Sequence, residues 1–303
     1  MKILICDKTE KEAIQKMRAA GLQVDVRDDI TPEELPQVLP AYDGMVVRSR
    51  TKVRQPLIDV CPNLKVIVRG GVGLDTIDAE YARSKGITVM NTPLASSASV
   101  AELAIGYMFA LARSVYQTST SMKSGKWEKK SFEGDELGGK TLGLVGIGNI
   151  GKEVARRAQA LGMTVLAYDP FVKSADGVEM VSLDQLLSSC DYISLHLPKT
   201  GESAGMLGRE AFARMKSGVR IVNCARGGII DEQALYEALT SGKVAGAALD
   251  VFAEEPPADW KLIQLPNVIA SPHIGAATKE AQGRVGAEVA QKLIDFAGSM
   301  QPA

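Results

Sequence analysis

Two histidines are all this chain has for moving a proton near neutral pH: His196, in Ser194-Leu-His-Leu-Pro198, and His273, in Ser271-Pro-His-Ile-Gly275. His273 follows a short apolar run and stands among Pro and Gly, the setting of a strand-end loop. Two other runs end in charged residues, Val222-Asn-Cys-Ala-Arg226-Gly-Gly228 and Asp250-Val-Phe-Ala-Glu-Glu255-Pro-Pro257. An Arg, a Glu and a His drawn from three such loops can hold a carboxylate or carbonyl oxygen, orient an imidazole and carry a proton. That combination suits oxidation or reduction at a carbon bearing a hydroxyl. Taken singly, each residue also has a structural reading: Arg226 as an ion-pair partner, Glu255 as a loop carboxylate, His196 as a packed strand residue.

The elements that must carry these groups are legible as a rhythm. Short apolar runs at Lys2–Cys6, Met45–Val47 and Lys65–Val68 alternate with a helical pattern at Lys11–Ala20 and with Gly, Pro or Asp punctuation. A second series starts at Lys140, with a strand over Thr141–Val145, a helix over Ile150–Leu161, a strand over Thr164–Tyr168 and further strands near Tyr192, Val219 and Val244. Alternation of this kind implies parallel sheets with crossover helices, whose ligands lie beyond the carboxyl ends of the strands. Between the two series, Ser97–Ser114 reads as a long helix apolar on more than one face, with Ser99 and Glu102 spaced as a capping box. A closing helix is expected over Lys279–Ala297.

Bulk properties narrow the function. With 35 Lys and Arg against 36 Asp and Glu, the formal charge of -1 offers no broad field for nucleic acid or an anionic membrane. Hydrophobic residues make up 46% and charged residues 23%, enough for two packed domains without disorder. The four cysteines, Cys6, Cys61, Cys190 and Cys224, have neither metal-ligand nor disulfide spacing and suit a reducing cytoplasm, and no metal site is expected. No signal-peptide pattern or 18-residue apolar span is present, so a soluble, cytoplasmic protein is expected.

The most specific local pattern is Gly146-Ile-Gly148-Asn-Ile-Gly151, a G-x-G-x-x-G with a β-rich run before it and helical composition after it. Such a loop needs a tight turn at the first glycine, close backbone approach to a pyrophosphate at the second, and close packing at the third. Asp169 lies 18 residues past Gly151, at the end of the next strand, where a carboxylate accepts bonds from ribose hydroxyls and repels a 2'-phosphate. NAD rather than NADP is therefore the expected cofactor.

Gly146–Gly151, Asn223-Cys-Ala-Arg226-Gly-Gly228, Ala248-Leu-Asp-Val-Phe252, Glu254-Glu-Pro-Pro257 and Pro272-His273-Ile-Gly275 together resemble the D-isomer-specific 2-hydroxyacid dehydrogenases, over nearly the whole chain. Asn91-Thr-Pro93, Ser121-Met-Lys-Ser-Gly-Lys-Trp127-Glu and Val222–Asp231 are most similar to the branch of that family acting on D-3-phosphoglycerate. The resemblance implies an α/β fold of two doubly wound parallel-sheet domains, a Rossmann NAD-binding domain (94–275) inserted in a flavodoxin-like substrate domain (1–93 and 276–303). Hinges are implied near Pro93 and Ala276, with a cleft that closes on the cofactor.

It further implies that Arg226, Glu255 and His273 form the catalytic triad. His273 takes the hydroxyl proton while hydride passes from C2 to nicotinamide, Glu255 supports the imidazolium, and Arg226 grips the carboxylate. Gly71 and Gly73 would present backbone N–H groups to the substrate, with Arg48 and Arg69 meeting its phosphate. Val72, Gly146, Gly148, Asn149, Ile150, Gly151, Asp169, His196, Cys224, Ala225, Asp250 and Gly275 would line the NAD site. A homodimer is implied, with Lys129 reaching into a partner's site and one side of the Ser97–Ser114 helix at the interface. Arg50, Lys52 and Arg54 are read as a solvated basic edge.

Two departures from the family pattern stand out. The chain reads Leu94-Ala-Ser-Ser97 where an Asn is common near Ser96, and it ends after the closing helix, so feedback by serine through a C-terminal regulatory domain is not expected. A glyoxylate or hydroxypyruvate reductase would share the triad and not need Arg48 and Arg69. A non-catalytic NAD-sensing protein on the same fold would not need the triad.

Overall fold

The structure, a computed structural model, describes residues 1–300. The chain divides into two compact units, one built from residues 1–96 with the segment from 276 onward, the other from residues 97–275.

In the first unit, strands β1 (Lys2–Ile5), β2 (Gln23–Val26), β3 (Gly44–Val47), β4 (Val66–Arg69) and β5 (Thr88–Asn91) form one parallel sheet in the order β2-β1-β3-β4-β5. The central strands read as continuous apolar runs because both their faces are covered. Ile3, Leu4, Ile5, Val66, Ile67 and Val68 are fully buried, each such aliphatic side chain contributing about 1.5–3 kcal/mol. One cover is a helix pair. Lys11–Ala19 buries Ala13 and Met17, four residues apart, against the stripe Ala281, Val285, Gly286, Val289, Ala290 and Leu293 of the helix Lys279–Ser299.

The second unit has a seven-stranded parallel sheet. Strands β6 (Thr141–Val145), β7 (Thr164–Tyr168), β8 (Glu179–Met180), β9 (Tyr192–Leu195), β10 (Val219–Asn223), β11 (Val244–Leu249) and β12 (Val268–Ala270) run in the order β12-β11-β10-β9-β6-β7-β8. The order reverses between β6 and β9, which makes that junction the natural ligand crevice of a doubly wound sheet. Both sheets have the expected class and, at β6 and β7, the expected bounds.

The helix between the two series differs from expectation. It spans Ser97–Ala112, so Ser99 lies inside its first turn and not ahead of it, and Glu102 pairs with Arg157 at 3.1 Å. Ser114 adopts a left-handed conformation, φ 48°, and a second helix, Val115–Lys123, follows at 63° to the first. The first helix is mostly core: Val100, Ala101, Ala104, Tyr107, Met108 and Leu111 are buried, while Phe109 is exposed. Among the described residues no single helix is long and apolar enough to cross a membrane. All four cysteines are buried and free. Burial pushes Cys61 up to about 11 and, with the neighbouring aspartates, Cys6 and Cys190 to about 12, as befits packing residues.

Candidate active site

The three strands at one end of the larger sheet, β10, β11 and β12, are adjacent, and the loops after them carry Arg226, Glu255 and His273. His273 Nδ1 lies 2.8 Å from Glu255 Oε2, while Glu255 Oε1 accepts the Phe252 N–H at 3.2 Å. With Nδ1 held by the carboxylate, Nε2 on the far side of the ring is the nitrogen left to exchange a proton. The pair borders a cavity of about 510 Å³ with largely apolar walls, including Phe252, Pro256, Pro257, Trp260 and Ile263.

His273 reaches this position through an uncommon backbone, φ 53°, and its loop is held from below. Asp250, 1% exposed, follows β11 directly. Its carboxylate accepts the N–H groups of Ile274 and Gly275, each at 2.8 Å, and the Ser271 hydroxyl. Its carbonyl accepts the His273 N–H at 2.9 Å. This carboxylate, assigned to the cofactor from sequence, is thus engaged by the histidine loop. Gly275 lies over it, a Cβ there meeting Asp250 Oδ2 at 3.0 Å.

The Arg226 loop is fixed by Asn223, which accepts the Ala225 N–H and donates to the Arg226 carbonyl, both at 3.0 Å. Arg226 is half-buried, and its Nη1 donates to the Ala225 carbonyl at 2.7 Å. Gly227 brings this loop onto the next: a Cβ there would stand 1.6 Å from the Phe252 carbonyl oxygen, so only glycine allows the approach. Glu232, in the first turn of the helix Glu232–Thr240, accepts the Ala253 N–H at 2.6 Å and ties the Glu255 loop to that helix. Sequence reading did not single out Glu232; its signal is an acid just after the N-cap Asp231. Cys224 and Ala225 are buried beneath Arg226, and burial, reinforced by the Asp250 charge, pushes the Cys224 thiol well up.

At the β6–β9 junction the glycine-rich turn is shaped by contact. Gly146 has φ 98°, and a Cβ on it would meet the His196 carbonyl oxygen at 2.6 Å; a Cβ on Gly151 would meet the Gly146 carbonyl oxygen at 2.4 Å. Gly148 faces open space, and Asn149 and Ile150 begin the helix Asn149–Ala160. Asp169, at the end of β7, accepts the N–H groups of Ile147, Phe171 and Val172 at 3.0, 2.9 and 3.0 Å. Burial alone would raise its pKa, but these amides outweigh it and hold the carboxyl below its ordinary value. An ionised acid at a strand end, a glycine turn open at its centre and a twelve-residue helix pointing its N-terminus at it fit a dinucleotide. It is the His196 main chain that meets this turn. Its ring bonds Ser194 Oγ at 2.8 Å through Nε2, Nδ1 is buried without a partner, and burial pushes its pKa down to about 3.

The remaining predicted residues lie at the carboxyl edge of the five-stranded sheet. Arg69 ends β4, and its guanidinium lies against Gly71, where a Cβ would stand 2.3 Å from Nη1. Asn91 Nδ2 bonds the Val72 carbonyl and so fixes the Gly71-Val72-Gly73 turn. Arg48, after β3, points its Nη1 at Gln282 Oε1 and the Lys8 carbonyl. The basic edge is not simply solvated. Arg50 pairs with the buried Asp7 at 3.0 Å and donates to the Ile30 carbonyl, and Arg54 pairs with Asp78 at 2.8 Å. Lys52 and Lys129 are exposed.

Comparison with known proteins agrees with this geometry. The model of the D-isomer specific 2-hydroxyacid dehydrogenase NAD binding domain matches residues 105–275, and the chain belongs to that family. It is 51% identical over 302 residues to a hydroxypyruvate reductase of Thermotoga maritima, covering 98% of both chains. It is 49% identical to a D-3-phosphoglycerate dehydrogenase of Archaeoglobus fulgidus, covering 98% of this chain but 57% of the relative, little more than half its length. The crystal structure of an Aquifex aeolicus D-lactate dehydrogenase complexed with NAD and lactic acid superposes with a TM-score of 0.87 at 31% identity, over 99% of this chain and 96% of that one. The larger unit is therefore an NAD-binding domain.

Proposed function

We propose that the chain catalyses the NAD-dependent oxidation of D-3-phosphoglycerate to 3-phosphohydroxypyruvate, the first step of phosphorylated serine biosynthesis. The observation that carries this reading is the 2.8 Å His273–Glu255 pair on a loop next to that of Arg226, in a family built around a 2-hydroxy acid. Bound NAD supplies the acceptor for the two electrons and hydrogen leaving C2. Arg226 holds the substrate carboxylate and polarises the C2 oxygen, a task for a planar, permanently charged donor. His273 Nε2 takes the hydroxyl proton, and Glu255 stabilises the resulting imidazolium through Nδ1 and keeps the ring oriented. Asp169 receives the adenosine ribose, and the Gly146–Gly151 turn with the helix behind it receives the pyrophosphate. Asn149, Ile150, Cys224, Ala225 and Gly275 complete that site. Arg69 and Arg48 are assigned to the phosphate, and Gly71 and Gly73 to the carboxylate.

A second reading, reduction of hydroxypyruvate or glyoxylate, is favoured by one observation: the Arg48 guanidinium is already engaged by Gln282 and the Lys8 carbonyl, which competes with a phosphate. The test is NADH oxidation with 3-phosphohydroxypyruvate, hydroxypyruvate, glyoxylate and 2-oxoglutarate under one condition, with His273→Ala beside the parent. A large preference for the phosphorylated acid supports the first reading; equal or faster turnover of hydroxypyruvate or glyoxylate selects the second. The variant should lose about 10³-fold or more in kcat while binding NADH normally, because only the proton carrier is removed.

We also propose a homodimer, supported by the exposed apolar series Phe109, Val115, Tyr116, Met122 and Trp127 beside Lys129. Sedimentation equilibrium tests it, a monomer at micromolar concentration being the contrary result. The four buried free cysteines suit the cytoplasm in which we place the reaction.

A further inference from the structure

Tyr107 is the one hydroxyl-bearing aromatic in the apolar helix Ser97–Ala112, and it is 7% exposed. A phenol in such a place needs a partner, and it finds one 164 residues away, bonding Ser271 Oγ. The Ser271 hydroxyl in turn bonds Asp250 Oδ1. The donor order follows from chemistry. A carboxylate oxygen accepts, so Ser271 gives its single proton to Asp250, and the bond from Tyr107 runs phenol to serine. Burial, strengthened by the Asp250 carboxylate against the opposing bond to Ser271, pushes the phenol up to about 12, so it keeps the proton this order requires.

From this chain we infer that Tyr107 is a positioning residue for the proton carrier: the relay Tyr107–Ser271–Asp250 holds the loop that presents His273. Asp250 also accepts the Ile274 and Gly275 N–H groups, so one carboxylate grips the loop on both sides of the histidine, and the relay fixes where that carboxylate lies. The helix packs on the same loop a second time, since a Cβ on Gly275 would approach Val100 at 3.4 Å. The relay grips the loop through Ser271 and backbone N–H groups and not through the imidazole ring, so it steers His273 without changing the partner at Nδ1.

The inference rests on His273 as proton carrier, and the test separates the two. Tyr107→Phe keeps the ring and deletes the hydroxyl; Ser271→Ala breaks the same relay with a smaller change in packing. Each is expected to lower kcat about tenfold, leave the KM for NADH within about twofold, raise the solvent isotope effect on kcat and speed amide exchange of Ile274 and Gly275 about tenfold in the cofactor-free protein. The double variant is expected to be no worse than either single one. Unchanged exchange at Ile274 and Gly275 in both single variants, parent-like kcat, or losses that multiply in the double variant would overturn the inference. Parent-like turnover of His273→Ala would instead overturn the reading on which it rests.

Discussion

Two buried aspartates stand at corresponding places in the two sheets, each just past the carboxyl end of a parallel strand: Asp7 after β1 and Asp250 after β11. Asp250 accepts only neutral donors, two backbone N–H groups and the Ser271 hydroxyl. Asp7 accepts the Arg50 guanidinium, the Thr51 hydroxyl and the N–H groups of Arg48 and Thr51. A carboxylate satisfied by neutral groups orders a loop while the charged side chains on it stay available for substrate. A carboxylate satisfied by a guanidinium takes that cation out of the list of binding groups. Under the proposed function, the difference separates an aspartate that positions the proton carrier from one that braces its own sheet edge by holding Arg50, although both edges carry the same kinds of residue.

The strongest way to break this comparison is to remove both carboxylates in turn. Asp250→Ala should lower kcat by about 10² or more, because the His273 loop loses three anchors, with a smaller loss of thermal stability. Asp7→Ala should do the opposite, costing about 2 kcal/mol or more in denaturant unfolding as several donors lose their acceptor, with kcat changed little per folded molecule. Equal effects of the two on kcat would erase the distinction.

Asp169→Ala should weaken NADH binding about tenfold to a hundredfold in a fluorescence titration and narrow the preference over NADPH, since ribose bonds and the repulsion of a 2'-phosphate go together. Unaltered selectivity would show that its three backbone bonds are its whole role. A smaller effect is expected at Arg48. If it binds phosphate, Arg48→Gln raises the KM for 3-phosphohydroxypyruvate several-fold and leaves that for hydroxypyruvate alone. If its bonds to Gln282 and Lys8 are what matter, both KM values hold and the melting temperature falls.

The smallest expected effect concerns His196, whose folded pKa of about 3 lies below the ordinary value near 6.5. Between those two pH values the unfolded chain binds the extra proton. Stability is therefore fully present above about pH 6.5 and declines as the pH falls towards 3. Melting curves of His196→Asn from pH 7 to 4 should fall less steeply than those of the parent; parallel curves would remove His196 from the acid sensitivity.

The sequence declared the central strands and missed edges. Strands β6 and β7 were readable to the residue because a strand covered on both faces must be apolar throughout. Gln23–Val26, Thr88–Asn91 and Glu179–Met180 were not singled out, and all three lie at sheet edges, where a two- to four-residue strand with one open side needs no apolar run. The helix Val115–Lys123 was missed for a related reason: it buries no residue, so no periodicity marks it. In the candidate site, residue types marked an Arg, a Glu and a His on strand-end loops, the family resemblance assigned Arg226, Glu255 and His273 their roles, and the structure brings His273 and Glu255 to 2.8 Å.

What sequence by itself determined was which groups stand at the ends of the central strands, because strand burial and catalytic chemistry each permit few residue types. What only the tertiary structure decided was which of those groups are engaged, Arg50 by Asp7, Arg48 by Gln282 and Asp250 by the histidine loop, and that Tyr107 of a helix bonds Ser271. Those pairings join residues from 21 to 234 positions apart, and hydrogen bonding depends on distance and direction in space, which no local pattern along the chain encodes.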